Sequence, residues 1–160
     1  MTERARPSRL LAWPLLAAAL FSLGACTLFV RTAPPDAMDV RAVPPDRILA
    51  YAAPAPGTGQ VVVTRDAGAL GGGCYLAVMA GTTLVARLDT EEQAVIWLPV
   101  GPNALAVAAD PQGRGLCAIN GFTPVVETHQ VVADGITRLR LSLGAYRRPR
   151  LTEDTGASRR

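Results

Sequence analysis

The chain has 160 residues, 49% of them hydrophobic and 18% charged, with a formal net charge of +3. That length suits one domain, and that apolar fraction excludes a disordered chain. All 16 basic side chains are arginine, yet they crowd the two ends: between Gly57 and Leu143 five arginines stand against seven acids, which excludes a basic nucleic-acid-binding domain.

Arg4, Arg6 and Arg9 open the chain, and Leu10 to Leu23 is then an uncharged run of 14 residues before Gly24-Ala25-Cys26. A basic start, a short apolar core and small residues before a cut make a secretory signal, expected over residues 1–25. Leu23-Gly24-Ala25-Cys26 resembles the lipobox of bacterial lipoproteins, Leu-small-small-Cys. That resemblance implies cleavage before Cys26, diacylation of its sulfur and acylation of the new amino terminus. Two or more acyl chains hold a protein stably where one is marginal, so the membrane becomes the first expected partner. Aspartate after the lipidated cysteine marks inner-membrane retention in enterobacterial lipoproteins. Thr27 stands there in this chain, so the resemblance implies the outer membrane, facing the periplasm. An uncleaved helix stays open as an alternative, because Leu10 to Val30 is 21 uncharged residues and long enough to span. Pro14, Gly24 and the lipobox argue against it. A soluble secreted form is the third reading.

Residues 26–58 are punctuated by Pro34, Pro35, Pro44, Pro45, Pro54 and Pro56. Proline fixes φ and removes amide donors, which predicts an extended, semi-rigid tether. Within it the run 47–51 is apolar enough to dock on the domain as an edge element. From residue 59 to 144 short apolar runs alternate with turn residues. Strands are expected over 60–65, 74–80, 82–88, 93–98 and 103–109, weaker ones over 116–119 and 125–132, and the cleanest over 136–143. Gly81 reads as a hairpin turn between the second and third of these. In 82–88 Leu84, Ala86 and Leu88 point one way and Val85 and Arg87 the other. In 136–143 Leu139, Leu141 and Leu143 share a face with Thr137, opposite Arg138, Arg140 and Ser142. The expectation is an all-β fold, a small antiparallel β-sandwich of about seven strands. Residues 145–160 are polar and read as a disordered basic tail.

Residues 76–110 resemble PEGA-type and related lipoprotein β-sandwich domains, with Ala80-Gly81 at the turn and Leu98-Pro99-Val100-Gly101 matching a Leu-Pro-x-Gly element. Asn103 stands near the place where a histidine is often found. More broadly the chain resembles small proteobacterial lipoproteins of unknown function. Such a likeness implies a fold and a scaffolding or interaction role, and it carries over no catalytic residue.

If Cys26 takes lipid, Cys74 and Cys117 remain as a pair in an oxidising compartment and are expected to form a disulfide. In the chain-entropy model a bridge of that span contributes roughly 3–4 kcal/mol. Two buried free thiols are the other reading. Gly68 to Gly73 lacks the Lys-Ser/Thr of a phosphate loop and reads as a flexible turn. His129, the single histidine, is expected on an exposed strand face beside Glu127, and no serine is placed to act as its nucleophile. No clustered ligands predict a metal or a cofactor. Asp89-Thr90-Glu91-Glu92 reads as a solvated hairpin turn before it reads as a calcium loop. Arg138 and Arg140 either pair with acids on a neighbouring strand or form an anion-binding patch. Trp97 and Tyr75 are expected to pack at the core or its rim.

The functional expectation is a lipid-anchored, non-enzymatic structural or protein-interaction module of the cell envelope, with an envelope protein as partner and no nucleic acid. The alternative is a carrier of a small ligand or lipid.

Overall fold

The run QVVVTR in the middle of the chain alternates, so Val61 and Val63 face one way and Val62 and Thr64 the other. It forms the central strand of a five-stranded sheet. The computed structural model describes residues 32–68, 73–113, 122–143 and 148–154. Nine strands lie among them: β1 Arg41–Ala42, β2 Thr58–Arg65, β3 Leu76–Ala80, β4 Thr83–Leu88, β5 Glu92–Pro99, β6 Gly101–Ala109, β7 Val126–Val131, β8 Ile136–Leu143 and β9 Pro149–Glu153. A single turn of 3-10 helix covers Pro45–Arg47. The fold is all-β, with no α-helix among the described residues.

The strands form two sheets, ordered β1-β5-β2-β8-β9 and β4-β3-β6-β7. Val61, Val63, Ile96, Leu98, Leu139 and Leu141 from the first sheet join Leu76, Val78, Leu88, Leu105 and Val107 from the second in one buried apolar cluster. The expectation of an antiparallel arrangement of about seven strands is corrected on two counts. Nine strands are present, and two pairings are parallel, β2 with β8 and β1 with β5. β2 and β8 are separated by strands that leave for the other sheet and return. Such a crossover brings β8 back in the direction of β2, whereas a hairpin would reverse it.

Both extra strands lie where structure was not expected. Pro149 and Leu151 in β9 are buried and alternate with exposed Arg150 and Thr152, and β9 pairs antiparallel with β8 from Leu143↔Pro149 to Leu139↔Glu153. The tail expected over 145–160 therefore completes the sheet over these five residues. The outward amide of this edge strand, Leu151 N, donates to the Glu127 carboxylate at 2.8 Å. Glu127 also takes two bonds from Arg150, so it covers the edge and ties β7 of one sheet to β9 of the other.

From Thr32 on, the stretch expected to be a free tether is bound to the domain as a strap. Thr32 Oγ1 donates to Asp66 at 2.7 Å and accepts from Leu143 N at 2.9 Å, while Ala33 bridges Ala67. Arg41 N and Val43 N then donate to Glu91 and Gln93, covering the outer edge of β5. The run 47–51 docks as its composition allows: Ile48 bridges Ala86, and the Tyr51 carbonyl accepts from Trp97 N at 2.9 Å. Pro34, Pro35, Pro44 and Pro45 do not obstruct this course, because a strap crossing side chains needs few donors of its own.

The β3–β4 hairpin turns at Gly81, whose φ of 56° lies in the left-handed region glycine enters freely. The strict alternation expected in β4 fails at a bulge. Val78 opposes Ala86 and Met79 opposes Leu84, so Val85 has no opposite residue. Its freed carbonyl accepts Leu49 N at 2.7 Å and Ala50 N at 3.3 Å, which is how the strap is fastened to the second sheet.

Candidate functional site

The outer face of the five-stranded sheet, turned away from the core, carries Gln93, Thr64 and Arg140 in one cross-strand row and Val95, Val62 and Arg138 in the next. The strap passes over this face between Pro34 and Val40 and leaves a cleft of about 610 Å³ beneath it. Val62, Pro34, Pro35 and Val40 supply apolar lining; Arg138, Arg140, Asp36 and Asp154 supply charge. Arg140 is held at its inner side by Asp66, with Nε and Nη2 at 2.5 and 2.7 Å from the two carboxylate oxygens. That hydrogen bond raises the Arg140 pKa further above its already high ordinary value. Gln93 Nε2 donates to Thr64 Oγ1 at 2.9 Å. Among the described residues neither the Arg138 guanidinium nor the Asp36 carboxylate makes a hydrogen bond or ion pair. The cleft therefore offers one uncommitted cation and one uncommitted anion beside an apolar wall.

A second polar cluster lies where strap and sheets meet. Arg47, on the strap, forks onto Glu92 at 2.5 and 2.7 Å, and both residues are buried. Its guanidinium also lies 4.4 Å from the ring centre of Tyr75, whose ring has Arg87 at 5.0 Å as well. Arg87 in turn forks onto Asp110 at 2.9 and 2.6 Å. Hydrogen bonding to Glu92 and to Asp110 raises the two guanidinium pKa values. Burial pushes the Asp110 carboxyl up, but the Arg87 hydrogen bond, the Gln112 amide and the nearby positive charge outweigh it and hold it below its ordinary value. Arg65, only 1% exposed, donates to the carbonyls of Cys74 and Leu88 at 2.8 and 2.7 Å. Burial pulls its pKa down to about 10, against the attraction of Asp89 and Glu92. This cluster fastens elements to one another. Tyr75 is a rim residue, as expected, and Arg47, Arg65 and Glu92 are the polar core that composition did not reveal.

The residues singled out from sequence are scattered. Cys74 is disulfide-bonded, and Cys26 and Cys117 lie outside the described residues. The strand expected over 116–119 lies outside them too, as does most of the glycine run. His129, expected on an exposed face, is 6% exposed, and its Nε2 has no hydrogen-bond partner among the described residues. It sits in β7 between exposed Thr128 and Gln130, on the side that carries Val131 into the core. The turn at 89–92 is not simply solvated: Glu92 folds inward to Arg47 and also accepts from Asp89 N at 2.7 Å. Arg140 takes the first of its two expected roles and pairs with an acid. Among the described residues no three His, Cys, Asp or Glu side chains are grouped to hold a metal ion. Likewise no described helix is long and apolar enough to cross a membrane.

Sequence reasoning missed Asp36, Asp66 and Thr32. The available signal was the charge alternation Thr64-Arg65-Asp66 at the end of β2, which places an acid beside the arginine face of β8 once the two strands pair. Compared with known proteins, the chain matches no family model, no curated protein and no solved structure.

Proposed function

We propose that this protein is a lipid-anchored, non-enzymatic interaction module of the cell envelope, attached through Cys26 at the outer membrane and facing the periplasm. The lipobox supports the anchor. The observation that carries the interaction role is the outer face of the five-stranded sheet, where Val95 and Ile136 are exposed and half-buried Trp97 stands among them. Register places Trp97 and Ile136 on either side of Gln60, and Val95 beside Val62, so they form one neighbourhood. Aromatic and branched side chains gathered on an otherwise polar face are what a protein partner buries. The tie from Trp97 N to Tyr51 places the strap at the border of this patch.

In this reading the two sheets pack as a β-sandwich, supported by the apolar cluster to which both contribute, and the PEGA-like stretch 76–110 supplies β3 to β6. Cys117 is the partner of Cys74. Photo-crosslinking from positions 95 and 136 in intact cells tests the role. A discrete adduct with one envelope protein is expected from both positions, and a smear matching that from exposed Val126 on another strand contradicts it.

The small-ligand reading has one observation in its favour, the cleft. The cleft lies under the strap, while the residues that both sheets turn toward each other form the apolar cluster.

A further inference from the structure

We propose that the cleft under the strap binds a small zwitterion, an amino acid or short peptide with a free carboxylate and a free ammonium group, through Arg138 and Asp36. The inference rests on the small-ligand reading of the cleft and is independent of the lipid anchor. A volume of about 610 Å³ is in the range of small-molecule sites and too small for a folded partner.

The charges decide the ligand class. Two guanidiniums and two carboxylates line the cleft. Arg140 is already neutralised by buried Asp66, with which it shares two hydrogen bonds. Asp154 acts on the Arg140 guanidinium through its charge and has a further interaction besides. What remains is Arg138 and Asp36, one charge of each sign. A phosphate or another polyanion would meet a lining with no net positive charge, and an isolated cation would leave Arg138 uncompensated. A zwitterion satisfies both.

The geometry supports the same assignment. Arg138 follows Val62 in its cross-strand row and neighbours Arg140, so a carboxylate at Arg138 lies over the β2–β8 pair. Arg140 lines the same cleft, with its Nε and Nη2 taken by Asp66. Asp36 comes from the strap on the opposite wall, next to Pro34 and Pro35, where the backbone is stiff. A ligand joining the two therefore bridges strap and sheet, with its aliphatic part against Val62 and Val40. Thr64 and Gln93 bond to each other and form a neutral polar floor.

Isothermal titration of the full chain in mild detergent with four probes tests this: alanylalanine, its N-acetyl form, its amide and inorganic phosphate. Alanylalanine is expected to bind, and each capped form to bind about 10-fold or more weakly, the scale of a lost charged hydrogen bond. R138Q is expected to weaken alanylalanine about 10-fold while leaving the amide unchanged. D36N is expected to weaken it similarly while leaving the N-acetyl form unchanged. Both side chains are exposed, so neither change should move the melting temperature of the free protein. If phosphate or the N-acetyl form binds as tightly as alanylalanine and R138Q weakens it, the cleft binds ligands but the zwitterion assignment falls. If no probe binds, or binding ignores both substitutions, the cleft reading falls with it.

Discussion

Gly59 in β2 sits close against the end of β7. A Cβ built there would lie 2.1 Å from the Val132 carbonyl oxygen and 2.7 Å from a methyl of Val131, and a backbone oxygen cannot be turned aside as a flexible side chain can. Alanine at this position must push β2 away from the end of β7. We expect Gly59→Ala to cost about 1–3 kcal/mol, read as a lower urea midpoint at unchanged slope. An unchanged midpoint would show that the approach is looser than described. Arg47 and Glu92 make a second residue-scale case. Removing one partner leaves the other charge buried and uncompensated, so Arg47→Met is expected to cost about 3–5 kcal/mol. The double change Arg47→Met with Glu92→Met should recover most of that loss. Thermal denaturation of the three variants checks it; equal losses in the single and double variants would place the pair in solvent.

At the scale of elements, the strands whose two faces differ in polarity were legible. The alternation in 136–143 and the β-branched run in 60–65 mark β8 and β2 directly, because burying one face imposes a period of two. β1 was not legible, since two residues between prolines carry no period. β9 was hidden by Arg150 and by the two arginines that precede the strand, although Pro149 and Leu151 do alternate. His129 was misplaced because its polar neighbours Glu127 and Thr128 suggested a wet strand, while the register with β6 turns its own face inward. The cleft could not be read at all. Asp36 and Arg138 are distant in sequence, and a parallel β2–β8 pairing together with a docked strap brings them to one cavity.

The tie between β7 and β9 has a pH signature. Burial pushes the Glu127 carboxyl up, but the Arg150 hydrogen bond, the Leu151 amide and nearby positive charge pull it below its ordinary 4.5. Asp110 is likewise held below its ordinary 3.8. A carboxylate depressed in the folded state stabilises the fold above its unfolded pKa, and the contribution is lost as pH falls through the folded value. Stability should therefore be level with respect to these two groups above about pH 5 and decline below it. Glu127→Gln should flatten part of that decline, measured by urea unfolding between pH 6 and pH 3. A decline of undiminished steepness would remove Glu127 from the account.

Over the whole molecule, the net charge of +3 says little about the folded part, where four of the eight described arginines are spent on carboxylates: Arg47 on Glu92, Arg87 on Asp110, Arg140 on Asp66 and Arg150 on Glu127. The first pair fastens the proline-rich strap to β5, and the other three tie strands or strand ends to one another; Thr32, where the described part of the strap begins, lies six residues after Cys26. An acylated Cys26 would thus hold the domain within about 20 Å of the bilayer, at roughly 3.3 Å per extended residue. The domain would stand at the membrane surface, with its patch and cleft presented at a set height. The claim on which this arrangement depends is acylation of Cys26. Metabolic labelling with a radioactive fatty acid, comparing the wild type with Cys26→Ala, tests it most directly. The account predicts label on the wild-type protein and none on the variant, which should keep its uncleaved leader; equal labelling of the two, or an unlabelled wild type, would contradict it.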